Sequence, residues 1–132
     1  MGYTHYWKHP ELPADLFAEI VRDARVIVGT VRARGIGIAG WDGTGEPEFT
    51  AEGVSFNGVD PDDYETFSLT PEATDFNFTK TGERPYDLAV TAVLLRVAAL
   101  AAKHDVKFEF WSDGDLDIDW VDGRQLVGEV FA

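Results

Sequence analysis

The sequence predicts an α+β fold: a mixed or antiparallel sheet packed by two main helices, plus a short C-terminal helix. Three observations carry this. Two long segments place apolar residues at helical spacing, each opened by a proline (Pro13 and Pro85). Several short runs alternate apolar and polar residues, as half-buried strands do. The 132 residues, 45% hydrophobic and 13% aromatic, suit one domain spanning 1–132 with its own core.

Tyr3 to Lys8 is short, aromatic and β-prone. In an extended chain Tyr3, His5 and Trp7 share one face, and Thr4, Tyr6 and Lys8 the other. Pro10 and Pro13 close the strand. Leu16, Phe17, Ile20, Val21, Ala24, Ile27, Val28 and Val31 then form one helical stripe. Arg32 and Arg34 favour the C-terminal end of that helix, and Gly35 stops it. Residues 40–48 form a turn-rich loop. Gly53–Asn57 reads as a strand, Asp60–Asp63 as a turn, and Tyr64–Leu69 as a second strand with Glu65 on the face of Phe67 and Leu69. Phe76–Thr79 alternates again.

Pro85 opens the second helix, with Asp87 in its first turn and Lys103 and His104 at its end. It is apolar nearly all round, which places it centrally against the sheet. Val106 to Trp111 reads as a strand. Asp115 to Trp120 reads as another, with Leu116, Ile118 and Trp120 opposite the aspartates. From Gly123 the spacing predicts the short C-terminal helix.

Charge and composition exclude several classes of function. Eleven Lys and Arg against 24 Asp and Glu leave a net charge of −13. Such a surface does not neutralise phosphates, so neither a nucleic acid polymer nor an anionic membrane is an expected partner. With no cysteine there is no disulfide, thiol nucleophile or thiolate metal site. No charged segment followed by an apolar one opens the chain, and Leu88–Ala102 is too short to span a bilayer. A cytoplasmic location is the expectation. Oligomeric state is not legible.

Several motifs fail in context. Gly35-Ile36-Gly37-Ile38-Ala39-Gly40 spells G-x-G-x-x-G, but it follows a helix and leads into a loop, where the dinucleotide fingerprint follows a strand and opens a helix. A calcium loop starting at Asp113 would need Gly at Ile118 and Glu at Arg124. The three histidines do not make a zinc pattern, and no G-x-S-x-G is present.

One constellation remains. A core-facing Glu65 demands a partner, either structural (Lys80, Arg84 or a Tyr hydroxyl) or a ligand. Lys80 and Arg84 precede the helix at Pro85, where free N–H groups and two cations favour an anion. Glu83 and Asp87 are acids at the same end. With Tyr3, Tyr6 and Tyr86 as stacking or hydrogen-bonding groups, and Asn57, Glu65 and Asp87 reading polar edges, the set suits a small planar anionic ligand, nucleotide-like. No cofactor is expected. Two alternatives stand beside this. One is a small-molecule hydrolase or transferase with His5 as acid or base, Glu65 or Asp113 as its carboxylate, and magnesium or calcium on Asp113 and Asp115. The other is an acidic protein-interaction module.

The opening Gly-Tyr-Thr-His-Tyr-Trp, Trp41-Asp42-Gly43-Thr44-Gly45-Glu46-Pro47, Phe56-Asn57-Gly58, Glu65-Thr66-Phe67, Lys80-Thr81, Pro85-Tyr86-Asp87, and Ser112-Asp113-Gly114-Asp115 with Asp119-Trp120 resemble a family of small uncharacterised proteins from bacteria and tailed phages. The resemblance runs along nearly the whole chain. Members often carry Cys where Tyr64 and Thr79 stand here, so a cysteine chemistry would be lost and binding favoured over nucleophilic catalysis. The resemblance implies that His5, Asn57, Glu65, Lys80, Tyr86, Asp87 and Asp113 form one site. A phage setting implies a sequestering or sensing role toward a signalling nucleotide.

Overall fold

The computed structural model describes residues 3–131; Gly2, the first residue of the opening motif, lies outside them. Among these residues three helices and two antiparallel sheets form an α+β domain. The elements in chain order are β1 (Thr4–His9), α1 (Ala14–Ala33), β2 (Ile38–Ala39), β3 (Glu48–Thr50), β4 (Gly53–Gly58), β5 (Phe67–Leu69), β6 (Thr74–Lys80), α2 (Asp87–Lys103), β7 (Glu109–Ser112) and α3 (Val121–Val130).

The first sheet has the order β6-β1-β7, so the N-terminal strand sits between two strands from distant parts of the chain. The second is built on β4, which pairs with β2, β3 and β5. In β1 the alternation acts as expected: His5, Trp7 and His9 are buried, while Tyr6 and Lys8 point outward. The stripe of α1 buries Leu16, Phe17, Ile20, Ala24, Ile27, Val28 and Val31. Helix α2 buries residues around most of its circumference because it lies between α1 and α3, with β7 at its flank. Trp7, Phe56, Phe67, Leu69 and Trp120 complete one contiguous core. No described helix is long and apolar enough to cross a membrane.

Two segments differ from expectation. Asp115–Trp120 is a run of turns, not a strand, and Ile118 is exposed. The aspartates bond to local backbone: Asp117 N–H donates to Asp115 Oδ1 at 2.8 Å and Asp115 N–H to Asp119 Oδ2 at 2.7 Å. Such short-range bonds compete with ladder pairing and here replace it. β5 begins at Phe67, and Glu65 stands outside it, exposed to solvent. The core-facing carboxylate inferred from alternation therefore does not exist.

Candidate functional site

The register of the first sheet creates the site. His5 lies opposite Ser112 on β7 and Thr79 on β6. The His5 side chain is fully buried on the inward face. Its Nε2 is 2.6 Å from Asp87 Oδ1, at the start of α2, and its Nδ1 is 2.8 Å from Ser112 Oγ. Thr81 donates to the same Asp87 Oδ1 at 2.6 Å. Ser112 Oγ accepts from Gly114 N–H at 2.9 Å and from Trp120 Nε1 at 3.4 Å. Those donors occupy its lone pairs, so its proton is directed to His5 Nδ1 and the imidazole proton sits on Nε2. This tautomer is assigned from the hydrogen-bond pattern. Tyr3 and Trp120 clasp the imidazole edge-on, at 5.1 and 5.0 Å between ring centroids.

Beside this relay a cleft of about 360 Å³ opens between Tyr3, the start of α2 and the start of α3. Its charged lining is Glu83, Arg84, Asp87, Asp119 and Asp122, with Tyr3 and Thr91 as neutral polar groups. Asp87 thus faces the relay with Oδ1, while Oδ2 has no hydrogen bond among the described residues. Tyr3 keeps its proton far into the alkaline range, because burial and then the charges of Asp87, Asp119 and Glu83 oppose ionisation. It therefore serves as a donor. Gly123 lets α3 close on α2, since a Cβ there would lie 2.6 Å from Thr91 Oγ1. The loop before α2 is held by Thr81 and Gly82 N–H groups donating to Tyr3 O, at 3.1 and 3.2 Å. Within it Glu83 adopts φ 60°, a left-handed conformation that costs a non-glycine residue about 1–2 kcal/mol.

Lys80 and Arg84 meet over one ring. Lys80 Nζ is 5.7 Å and the Arg84 guanidinium 5.4 Å from the centroid of Tyr64, itself half-exposed. Among the described residues neither cation forms an ion pair. Arg84 also lines the cleft.

The remaining expected residues disperse. Asn57 is buried and fully engaged: Nδ2 donates to Tyr64 O at 2.8 Å and to Trp41 O and Thr66 Oγ1 at 3.3 Å, and Oδ1 accepts from Gly58 and Tyr64 N–H. It clamps two loops and leaves nothing for a ligand. Tyr86 is fully buried; its hydroxyl donates to Glu65 O at 2.5 Å, and burial, with Asp87 and Glu65 nearby, holds it protonated. Glu65 Oε1 accepts from Lys80 N–H at 2.9 Å, so the pair meets through backbone and not as ions. Tyr6 points to the opposite face of the sheet from His5. Asp113 accepts from Thr4 N–H and the Tyr6 hydroxyl, both at 3.1 Å, and does not reach His5. The carboxylate partner of His5 is Asp87, not Glu65 or Asp113. Asp115 is occupied by local turn bonds, and no group of three or more His, Asp or Glu suited to a metal ion occurs among the described residues.

Sequence patterning does not mark Ser112, Thr81 or Tyr64 as site residues, nor Asp119 and Asp122. One signal pointed toward the first two: a histidine on the face of Trp7 must find buried partners. No family model matches the chain. No curated protein and no solved structure shows a significant match to it.

Proposed function

We propose that this protein binds a small planar ligand carrying one anionic group, nucleotide-like in kind, at the cleft beside Tyr3 and the start of α2. The position of Arg84 carries the reading. It lines the cleft and, with Lys80, stands over the exposed ring of Tyr64. A stacking surface, two unpaired cations and a polar pocket thereby adjoin. The anionic group meets Lys80 and Arg84, and the base stacks on Tyr64. Glu83, Asp87, Asp119 and Asp122 accept from amino and ribose hydroxyl donors, and Tyr3 donates. Four carboxylates beside the two cations disfavour a polyphosphate, so the ligand is a monophosphate or cyclic monophosphate. Sequestration or sensing of such a nucleotide is the corresponding role.

The test is a thermal-shift and calorimetric series of mono-, di-, tri- and cyclic nucleotides, with and without magnesium. At a hundredfold excess over Kd a ligand adds about 2.7 kcal/mol of stability. Monophosphates should bind more tightly than triphosphates, and the double variant Lys80→Ala, Arg84→Ala should lose binding while keeping its melting temperature. Unchanged affinity in that variant, or no binding across the series, refutes the assignment.

The relay favours a second reading, a hydrolase or transferase. Ser112 Oγ–H, His5 and Asp87 follow one another as nucleophile, base and orienting acid do. Against it, His5 is fully buried and two N–H donors already occupy Ser112 Oγ. Turnover of p-nitrophenyl acetate that vanishes in Ser112→Ala would decide for this reading.

A further inference from the structure

We propose that a groove at the end of the β6-β1-β7 sheet, beside His9, binds a small zwitterion with the chemistry of a free α-amino acid. The groove has a volume of about 360 Å³ and shares no lining residue with the cleft at Tyr3. A register shift makes room for it. Trp7 pairs with Asn77 but His9 with Thr74, so Asp75 and Phe76 both stand opposite Lys8. An extra residue of this kind bends its strand and re-aims its side chains. Lys8, Asp75, Lys107 and Glu109 supply the charged groups of the lining, and Pro10 and Ala73 a small apolar wall.

His9 points to a ligand. It is only 5% exposed, and its ring stacks on Phe108 at 5.6 Å and 17°. Its Nδ1 lies 2.6 Å from Pro10 O. A carbonyl only accepts, so the ring proton sits on Nδ1 and Nε2 carries a lone pair, a tautomer assigned from the hydrogen-bond pattern. Nε2 makes no hydrogen bond among the described residues. Nor is it sealed in the interior, where Trp7 Nε1 alone among the described side-chain nitrogens and oxygens lacks a partner. Nε2 therefore opens onto the groove that His9 lines. A nearly buried acceptor is ordinarily satisfied, and here a ligand N–H satisfies it. No group of three or more His, Asp or Glu suited to a metal ion occurs among the described residues, so the lone pair takes a hydrogen bond.

The charges select the ligand. Lys8 and Glu109 already pair with each other at 3.7 Å. Lys107 and Asp75 form no ion pair among the described residues. An unpaired cation and an unpaired anion thus border one groove. A ligand of a single charge meets repulsion as well as attraction there, whereas a zwitterion answers both. Its carboxylate pairs with Lys107, its ammonium pairs with Asp75 and donates to His9 Nε2, and its side chain lies on Pro10 and Ala73. The volume is at the small end for ligand pockets, which suits a single amino acid.

The experiment titrates the 15N-labelled protein with L-leucine, with N-acetyl-L-leucine, which keeps only the carboxylate, and with L-leucinamide, which keeps only the ammonium. L-leucine should give saturable shifts confined to residues 8–10, 73–75 and 107–109, and both blocked forms should bind more weakly. His9→Gln should weaken L-leucine about tenfold, the loss expected of a hydrogen bond to a charged donor. Lys107→Gln and Asp75→Asn alter exposed side chains, so they test the site even where the His9 variant fails to fold. Each should weaken binding about twofold to fivefold, as a solvent-exposed ion pair does. Absence of saturable binding, shifts centred on the cleft at Tyr3, or an affinity untouched by Lys107→Gln and Asp75→Asn overturns the proposal. So does equal binding of N-acetyl-L-leucine or of L-leucinamide, which would make the groove a site for a simple anion or a simple amine.

Discussion

Removing the Asp87 carboxylate tests whether the buried relay holds β1, β7 and α2 together. In Asp87→Ala two donors lose their acceptor: His5 Nε2–H and the Thr81 hydroxyl, each 2.6 Å from Oδ1 in the native protein. His5 and Thr81 are both fully buried. An unsatisfied buried donor costs about 1–3 kcal/mol, so the pair costs roughly 2–6 kcal/mol. The Asp87 side chain is 17% exposed, so water reaches the vacated space and draws the loss toward about 2–4 kcal/mol. With an unfolding entropy of about 2.1 cal/mol/K per residue, the melting temperature falls by roughly 7–14 °C. Urea denaturation followed by tryptophan fluorescence measures the loss, with an unchanged m-value as the check on two-state behaviour. Asp87→Asn keeps an acceptor oxygen at Oδ1 and should recover much of it. Asp113→Ala is the control, because that carboxylate is exposed and holds only Thr4 N–H and the Tyr6 hydroxyl. If Asp87→Ala loses no more stability than Asp113→Ala, the relay is not a structural tie and the reasoning fails.

Asp23 is buried and accepts from Arg96 Nε at 2.8 Å and Arg22 Nε at 3.1 Å, while both arginines keep access to solvent, so Asp23→Ala should cost about 1–3 kcal/mol in a chemical melt. Gly29 lies on the exposed side of α1 with nothing near its would-be Cβ, so Gly29→Ala should stabilise by about 0.8–1 kcal/mol; a lower melting temperature would contradict this. Gly58→Ala should destabilise instead, by about 1–3 kcal/mol, since its Cβ would fall 2.5 Å from Asp62 O and 3.0 Å from Tyr86 Cδ1. Burial raises both Tyr3 and Tyr86 above the ordinary phenol value, so the fold prefers their neutral forms. That contribution is complete below about pH 10 and is lost as pH climbs above it toward the folded values. Stability measured from pH 9 to 11, with tyrosinate absorbance at 295 nm alongside, should fall, and less so in Tyr3→Phe; a flat profile would count against the buried phenols.

What the sequence by itself determined is what local periodicity controls. The stripe from Leu16 to Val31 needs one apolar face, and a period of 3.6 residues makes that face whatever lies opposite. The alternation in β1 puts His5 beside Trp7 on the inward side for the same reason. Periodicity misled where short-range bonds or chain bends intervene, as at Asp115–Trp120, whose aspartates bond their own backbone, and at Glu65, which lies before β5 begins. The tertiary structure alone decided which groups meet. Ser112 reaches His5 across 107 residues because β7 adds beside β1, and Asp87 arrives because α2 starts behind the same strand. Strand neighbours and helix crossings follow from nonlocal burial, which no window of sequence contains. Thus the conspicuous motifs came apart: His5 and Asp87 joined in the relay, Lys80 and Arg84 gathered on Tyr64, and Asn57 and Tyr86 became internal ties.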